Sequence, residues 1–188
     1  MTRVLDTDAD LIERSARGQP EAFVAVVERH EVAVHGFLAR RAGREAADDL
    51  LAEVWVRAFA GRMGYDRGRD DARPWLYGIA RNVLRAHWQA RTRQRHGPAA
   101  GRPEDPWDDV IDRLDSAAGA RVLRPALRAL PPAEREILLL VAWEQLTPAE
   151  AAAVVGVPQG TARSRLHRAR AALRLALAGA GHGQEEGT

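Results

Sequence analysis

TPAEAAAVVGVPQGTARSRLHRARAAL, Thr147 to Leu173, reads as a helix, a tight turn and a second helix. Thr147 is a strong N-cap, Pro148 stands at the first helical position, and Glu150 is placed to return the capping hydrogen bond. Gly156 stops this helix. Val157 to Gly160 supply the turn, where Pro158 lacks the amide donor needed to continue a helix. The spacing predicts a second helix from about Thr161, with two faces of opposite character.

With Arg163 at zero and about 100° per residue, Ala162, Leu166, Ala169 and Leu173 fall between about 240° and 300° and form a buried stripe. Arg163, Ser164, His167 and Arg168 lie between about 0° and 140°, flanked by Arg165 and Arg170 near 200° and 340°. The central four are placed to reach base edges in a major groove. Arg165 and Arg170 suit phosphates, as does Thr161 at the helix start. From Ala151 to Ala178 there are five arginines and no acid, so a polyanion would supply the missing counter-charge. Capping, turn, stripe and charge agree on a DNA-reading unit rather than an arginine-rich solvated helix end.

The remainder of the chain is zoned by charge. All 28 basic residues are arginine, the better residue for bidentate guanine and phosphate contacts, although GC-rich coding would produce the same bias. Ala72 to Pro103 holds seven arginines and no acid, whereas Glu104 to Asp115 holds six carboxylates against Arg113. Cysteine is absent, which excludes disulfides and thiolate metal sites. No apolar run approaches the length of about 20 residues that a bilayer requires, and no signal peptide is visible, so a cytoplasmic protein without membrane insertion is expected.

A length of 188 residues allows one or two small domains. Residues 8–96 are alanine-, leucine- and arginine-rich with helical periodicity, broken by Gly18-Gln19-Pro20, by Gly43, and by a loop from Gly61 to Pro74. Residues 97–120, with Pro98, Pro103 and Pro106, read as a flexible acidic linker. From Arg121 the pattern is helical again, and Pro131-Pro132 open a helix running through Leu138 and Trp143. No β-branched run alternates with period two. The fold class expected is all-α: two small helical domains, 8–96 and 121–178, joined by the linker, the second carrying the helix-turn-helix, with residues 179–188 a disordered tail.

Two surfaces of the first domain carry chemistry. Asp49 and Glu53 lie four residues apart on one helix face, with Asp48 beside them, and present paired carboxylates either to solvent or to a basic partner. After the loop, Trp75, Asn82, Arg85 and Trp88 recur on an arginine-rich stretch. Single-stranded bases need an aromatic platform, a polar group for the base edge and positive charge along the backbone, and all three occur here. An extruded base can sit against Asn82 and the preceding loop. Trp75, at a helix start, reads equally as partly core or as interaction surface.

Two motif sets then resemble one family. Leu127, Leu130-Pro131, Arg135, Leu146 to Ala152, Gly156 and Gly160 to Arg170 resemble the fourth conserved region of bacterial sigma-70 factors of the extracytoplasmic-function group. Ala47 to Phe59 is similar to that family's polymerase-binding helix, and Trp75 to Asn82 to its promoter-melting segment. Together they cover nearly the whole chain outside the linker and the tail. Two departures stand out: Ala52 replaces a polar residue, often glutamine, and Glu150-Ala151-Ala152 replaces the usual Glu-Ile-Ala. The first weakens a polymerase contact and the second thins a small core.

The resemblance implies a sigma factor that binds core RNA polymerase through Asp48, Asp49 and Glu53, and reads the minus-35 element with Arg163, Ser164, His167 and Arg168. It implies melting of the minus-10 element around Trp75, Asn82, Arg85 and Trp88, and leaves room for an anti-sigma factor as a further partner. In that family the linker threads the polymerase cleft later filled by RNA, so its carboxylates would mimic nucleic-acid charge; composition alone reads them as a soluble connector. A stand-alone helix-turn-helix repressor or activator with a dimerisation or sensor domain, and an adaptor binding only protein, are the rival readings. Neither needs a single-strand surface.

No enzyme signature competes. His30-Glu31 and His35 resemble a zinc-protease helix, but five residues separate the histidines by about 140° around the axis, so they share no face. Nucleophile elbow and phosphate-binding glycine loop are both missing. No catalysis, cofactor or metal is expected.

Overall fold

The computed structural model describes residues 6–96, 110–111 and 120–182. The chain divides into two compact units, residues 1–97 and 98–188, and no strand occurs among the described residues. The first unit holds α1 (Asp8–Ala16), α2 (Ala22–Ala42), α3 (Arg44–Gly61), a single 3-10 turn (Arg62–Gly64) and α4 (Arg73–His96). The second holds α5 (Ala120–Ala129), α6 (Pro132–Trp143), α7 (Pro148–Val155) and α8 (Gln159–His182).

In the first unit α2 packs against α1, α3 and α4. Gly43 parts α2 from α3 in a single residue, at φ 86° and ψ 160°, a conformation that favours glycine because a Cβ would be strained there. The core is aliphatic and aromatic: Val26, Val34, Phe37 and Leu38 of α2, Leu50 and Val54 of α3, and Leu76, Ala80 and Val83 of α4 are all buried. Phe37 stacks on Tyr77 with ring centroids 4.8 Å apart. Thr7 and Asp10 cap α1 reciprocally, Asp10 N donating to Thr7 Oγ1 at 3.2 Å and Thr7 N to Asp10 Oδ2 at 2.9 Å.

A buried carboxylate ties the helices together. Asp8 Oδ2 accepts the Ala72 N–H at 2.8 Å and lies 2.6 Å from His30 Nε2, while Oδ1 accepts Arg29 Nη1 at 3.0 Å. Burial alone would push the Asp8 carboxyl up, but the hydrogen bonds from His30, Ala72 and Arg29 outweigh it and hold the group at about 2. The start of α1, the middle of α2 and the start of α4 are thereby fastened at one point.

In the second unit α8 packs on α5, α6 and α7. Thr147 and Glu150 form the expected capping box of α7, with Glu150 N donating to Thr147 Oγ1 at 3.2 Å and Thr147 N to Glu150 Oε2 at 2.7 Å. Gly156 ends α7 in the left-handed region, φ 78° and ψ 42°, and its N–H reaches Ala152 O. Pro132 opens α6 as expected.

Two boundaries and one segment differ from the expectation. α8 begins at Gln159 rather than near Thr161, because the Pro158 carbonyl already accepts the Ala162 N–H at 3.1 Å. Its first amides need no intrahelical partner, so Gly160 is tolerated there. α8 also runs to His182, into the stretch expected to be tail; alanine and leucine dominate its last turns, and each glycine there weakens a helix by only about 1 kcal/mol. Finally, Val110 and Ile111 are helical and buried, so the segment read as a plain connector has an apolar anchor in its middle. The linker carboxylates Glu104, Asp105, Asp108, Asp109, Asp112 and Asp115, and the tail beyond His182, lie outside the described residues.

Candidate nucleic-acid and polymerase interfaces

The helix-turn-helix sorts its residues as the spacing predicts. Ala162, Leu166 and Ala169 are buried, and Leu173 is half-buried. Arg163, Ser164, His167, Arg168 and Arg170 are exposed on the other side, with Thr161 and Arg165 half-buried between. Ser164 Oγ donates to the Thr161 carbonyl at 3.2 Å. Arg168 is held in place: its Nε donates to Glu134 Oε1 of α6 at 2.6 Å, and its Nη1 reaches Ser164 Oγ at 3.4 Å. Glu134, absent from the sequence reading, joins this face from 34 residues away. Its one local signal was an acid in the first turn of α6, which a helix dipole also explains.

On α4, Asn82 and Arg85 are exposed and Trp75 is half-buried. The Trp75 ring meets Tyr65 edge-on, with centroids 5.1 Å apart and planes at 68°. Tyr65 anchors the preceding loop by donating its hydroxyl to the Arg69 carbonyl. Burial first, and the carboxylates of Asp8 and Asp71 next, push the Tyr65 hydroxyl up to about 12, so it remains a donor. Asp66 closes the loop tip, its Oδ1 accepting the Gly68 N–H at 3.1 Å.

Trp88 does not belong to this surface. It is buried, with its ring edge-on to His87 at 5.5 Å and the Arg91 guanidinium 5.6 Å above it. Thirteen residues separate it from Trp75, about 220° around the helix, so it faces the core while Trp75, Asn82 and Arg85 share the other side. The candidate single-strand surface thus keeps one tryptophan, half-buried and edge-on to Tyr65.

On α3, Asp48 and Asp49 are exposed and Glu53 is half-buried. His35 Nε2 of α2 lies 3.0 Å from Asp48 Oδ1, and Arg57 pairs with Glu53 one turn on. Val56 is 69 % exposed; at about 80° from Asp48 it stands among the carboxylates. Val56 was not among the expected partner-binding residues, although its spacing from Asp48 places it on that face. The surface therefore combines negative charge with an apolar centre, a composition suited to a protein partner.

Asp8, His30 and Asp71 bring ligand atoms within 4.8 Å of one another. Their donor atoms are already engaged: those of Asp8 by Ala72, His30 and Arg29, and those of Asp71 by the Arg73 backbone and guanidinium at 2.8 Å. The cluster is a helix fastener. His35, turned toward Asp48, takes no part in it. No helix among the described residues is long and apolar enough to cross a membrane.

Family comparisons give this geometry a context. Residues 26–94 match the model of Sigma-70 region 2, and residues 120–173 that of Sigma-70, region 4. The chain is 37% identical over 163 residues to the probable RNA polymerase sigma-C factor of Mycobacterium bovis, covering 85% of each. It is 35% identical over 170 residues to the RNA polymerase sigma factor CarQ of Myxococcus xanthus, covering 88% of this chain and 95% of that one. Among solved structures it resembles CnrH in complex with the cytosolic domain of CnrY, with a TM-score of 0.61 and 26% identity over 92% of this chain and 97% of that one. The sigma factor RpoE of Bartonella quintana, solved with the anti-sigma factor NepR, shares the fold at a TM-score of 0.58 and 23% identity over 82% of this chain and 96% of that one. With both conserved regions in order along one chain, this protein belongs to the sigma-70 family, in its extracytoplasmic-function group, and is a promoter-directing RNA polymerase sigma factor.

Proposed function

We propose a division of labour between the two units. The second reads the minus-35 element in a major groove, with Arg163, Ser164, His167 and Arg168 at base edges and Thr161, Arg165 and Arg170 at phosphates. The first opens the minus-10 element, an extruded base resting against Asn82, Arg85 and Trp75. Asp48, Asp49 and Glu53 meet core polymerase, with Val56 in their midst. The observation that carries this reading is the acid-free, exposed face of α8 opposite the buried stripe of Ala162, Leu166 and Ala169.

The protein performs no chemistry of its own on this reading; it selects the start site and polymerase makes the bonds, in the cytoplasm where both reside. An anti-sigma factor is a further partner, by analogy with CnrH, which was solved with the cytosolic domain of CnrY. Reconstitution tests the core of the proposal. Core polymerase alone should not initiate on a library of promoter fragments, the protein alone should bind them weakly, and the two together should start transcripts at discrete positions. Tight, sequence-specific binding by the protein alone, without initiation on adding polymerase, would contradict it.

A further inference from the structure

Arg168 is the one proposed base-reading residue whose guanidinium is tied to another helix. Its Nε donates to Glu134 Oε1 at 2.6 Å and its Nη1 approaches Ser164 Oγ at 3.4 Å. Ser164 is in turn fixed by its own bond to the Thr161 carbonyl. The Glu134 side chain is only 14% exposed, whereas that of Arg168 is 56% exposed. The carboxylate therefore sits behind the guanidinium, and the guanidinium faces outward. Glu134 is itself fixed, lying in the first turn of α6 with its N–H bonded to the Pro131 carbonyl at 2.9 Å.

A guanidinium has five N–H donors in a planar fork. With Nε–H given to Glu134 and one Nη1 hydrogen turned toward Ser164, the end of the fork keeps hydrogens on both Nη1 and Nη2. That end-on pair fits the O6 and N7 acceptors of guanine. A free arginine would have to order this long side chain on binding; one already held in its bound geometry loses less freedom.

We infer that Glu134 is a positioning residue for promoter reading: its carboxylate holds the Arg168 fork for a guanine in the upstream element. The inference rests on the proposed role of Arg168 in base reading. On charge alone Glu134 opposes DNA binding, since it places a negative group near a polyanion. Its removal therefore has two separable signatures, a general gain in attraction and a specific loss of discrimination.

The test uses the full chain in complex with core polymerase and a promoter library randomised across the upstream element, with bound fragments sequenced. Arg168→Ala should erase a guanine preference at one or two positions. Glu134→Ala should lower the preference at those same positions by roughly threefold to tenfold, part of what a bidentate contact supplies. Glu134→Gln, which keeps an acceptor but no charge, should fall between Glu134→Ala and wild type. The double variant Glu134→Ala/Arg168→Ala should match Arg168→Ala alone. Thermal melting of Glu134→Gln, followed by circular dichroism, checks that the fold is kept. If both Glu134 variants tighten all sequences alike with the preference intact, Glu134 acts by charge only and the inference is wrong. If Arg168→Ala itself leaves every preference unchanged, the base-reading role fails first, and the inference with it.

Discussion

The Asp8 carboxylate accepts the backbone N–H of Ala72 at 2.8 Å, joining the start of α1 to the start of α4 across 64 residues. The same carboxylate holds His30 and Arg29 of α2. Its removal leaves a buried amide and a buried imidazole without their partner, so Asp8→Ala should destabilise the first unit by about 2 to 4 kcal/mol. Urea unfolding of that variant beside wild type gives the number, and a change within error would show the fastener to be dispensable.

Acid should act on the same group. The folded carboxyl titrates at about 2, below the unfolded value of about 3.9. A depressed carboxyl stabilises fully above its unfolded value, and that contribution disappears as pH falls toward the folded one. A shift of this size is worth about 2 to 3 kcal/mol. The stability gap between wild type and Asp8→Asn should therefore be constant from pH 7 to about pH 5 and shrink between about pH 4 and pH 2. A gap that stays constant down to pH 2 would remove Asp8 as the source.

The two tryptophans of α4 should part company under substitution. Trp88 is buried, so Trp88→Ala should cost about 3 to 5 kcal/mol of stability. Trp75→Ala removes a half-buried ring and should destabilise less, while Asn82→Ala should leave folding intact. Both of these should reduce promoter opening, read as reactivity of unpaired thymines to permanganate in the polymerase complex. Normal opening in both variants would move the single-strand surface elsewhere.

Local rules made the second unit legible. Thr147, Glu150 and Gly156 act within one or two turns, and their roles follow from residue type and spacing alone. Placing Trp88 required only an angular count from Trp75, which an aromatic seen among arginines did not prompt. His30 was harder. Its partner Asp8 is 22 residues distant, and nothing local separates a histidine bonded to a buried carboxylate from a solvated one. The Arg168–Glu134 pair spans 34 residues and depends on how α6 packs on α8. Val110-Ile111 was visible as an apolar doublet, yet proline and aspartate around it spoke for a connector. Tertiary pairing, not propensity, decides such positions.

The acidic face of α3 should matter to polymerase and not to folding. Asp49→Lys with Glu53→Lys reverses exposed or half-exposed charge, so titration against core polymerase should show clearly weakened association, most strongly at low salt. Val56→Asp, at the apolar centre, should weaken it as well. Affinity equal to wild type in both variants would take this face out of the interface.

Sequencing the transcripts made by core polymerase from a promoter library, with wild type or with Arg163→Ala, tests the division of labour most directly. Arg163→Ala should relax base preference in the upstream element by roughly 1 to 3 kcal/mol at particular positions and leave the preference around the melted element unchanged. Upstream preferences identical to wild type, or losses spread over both elements, would contradict it.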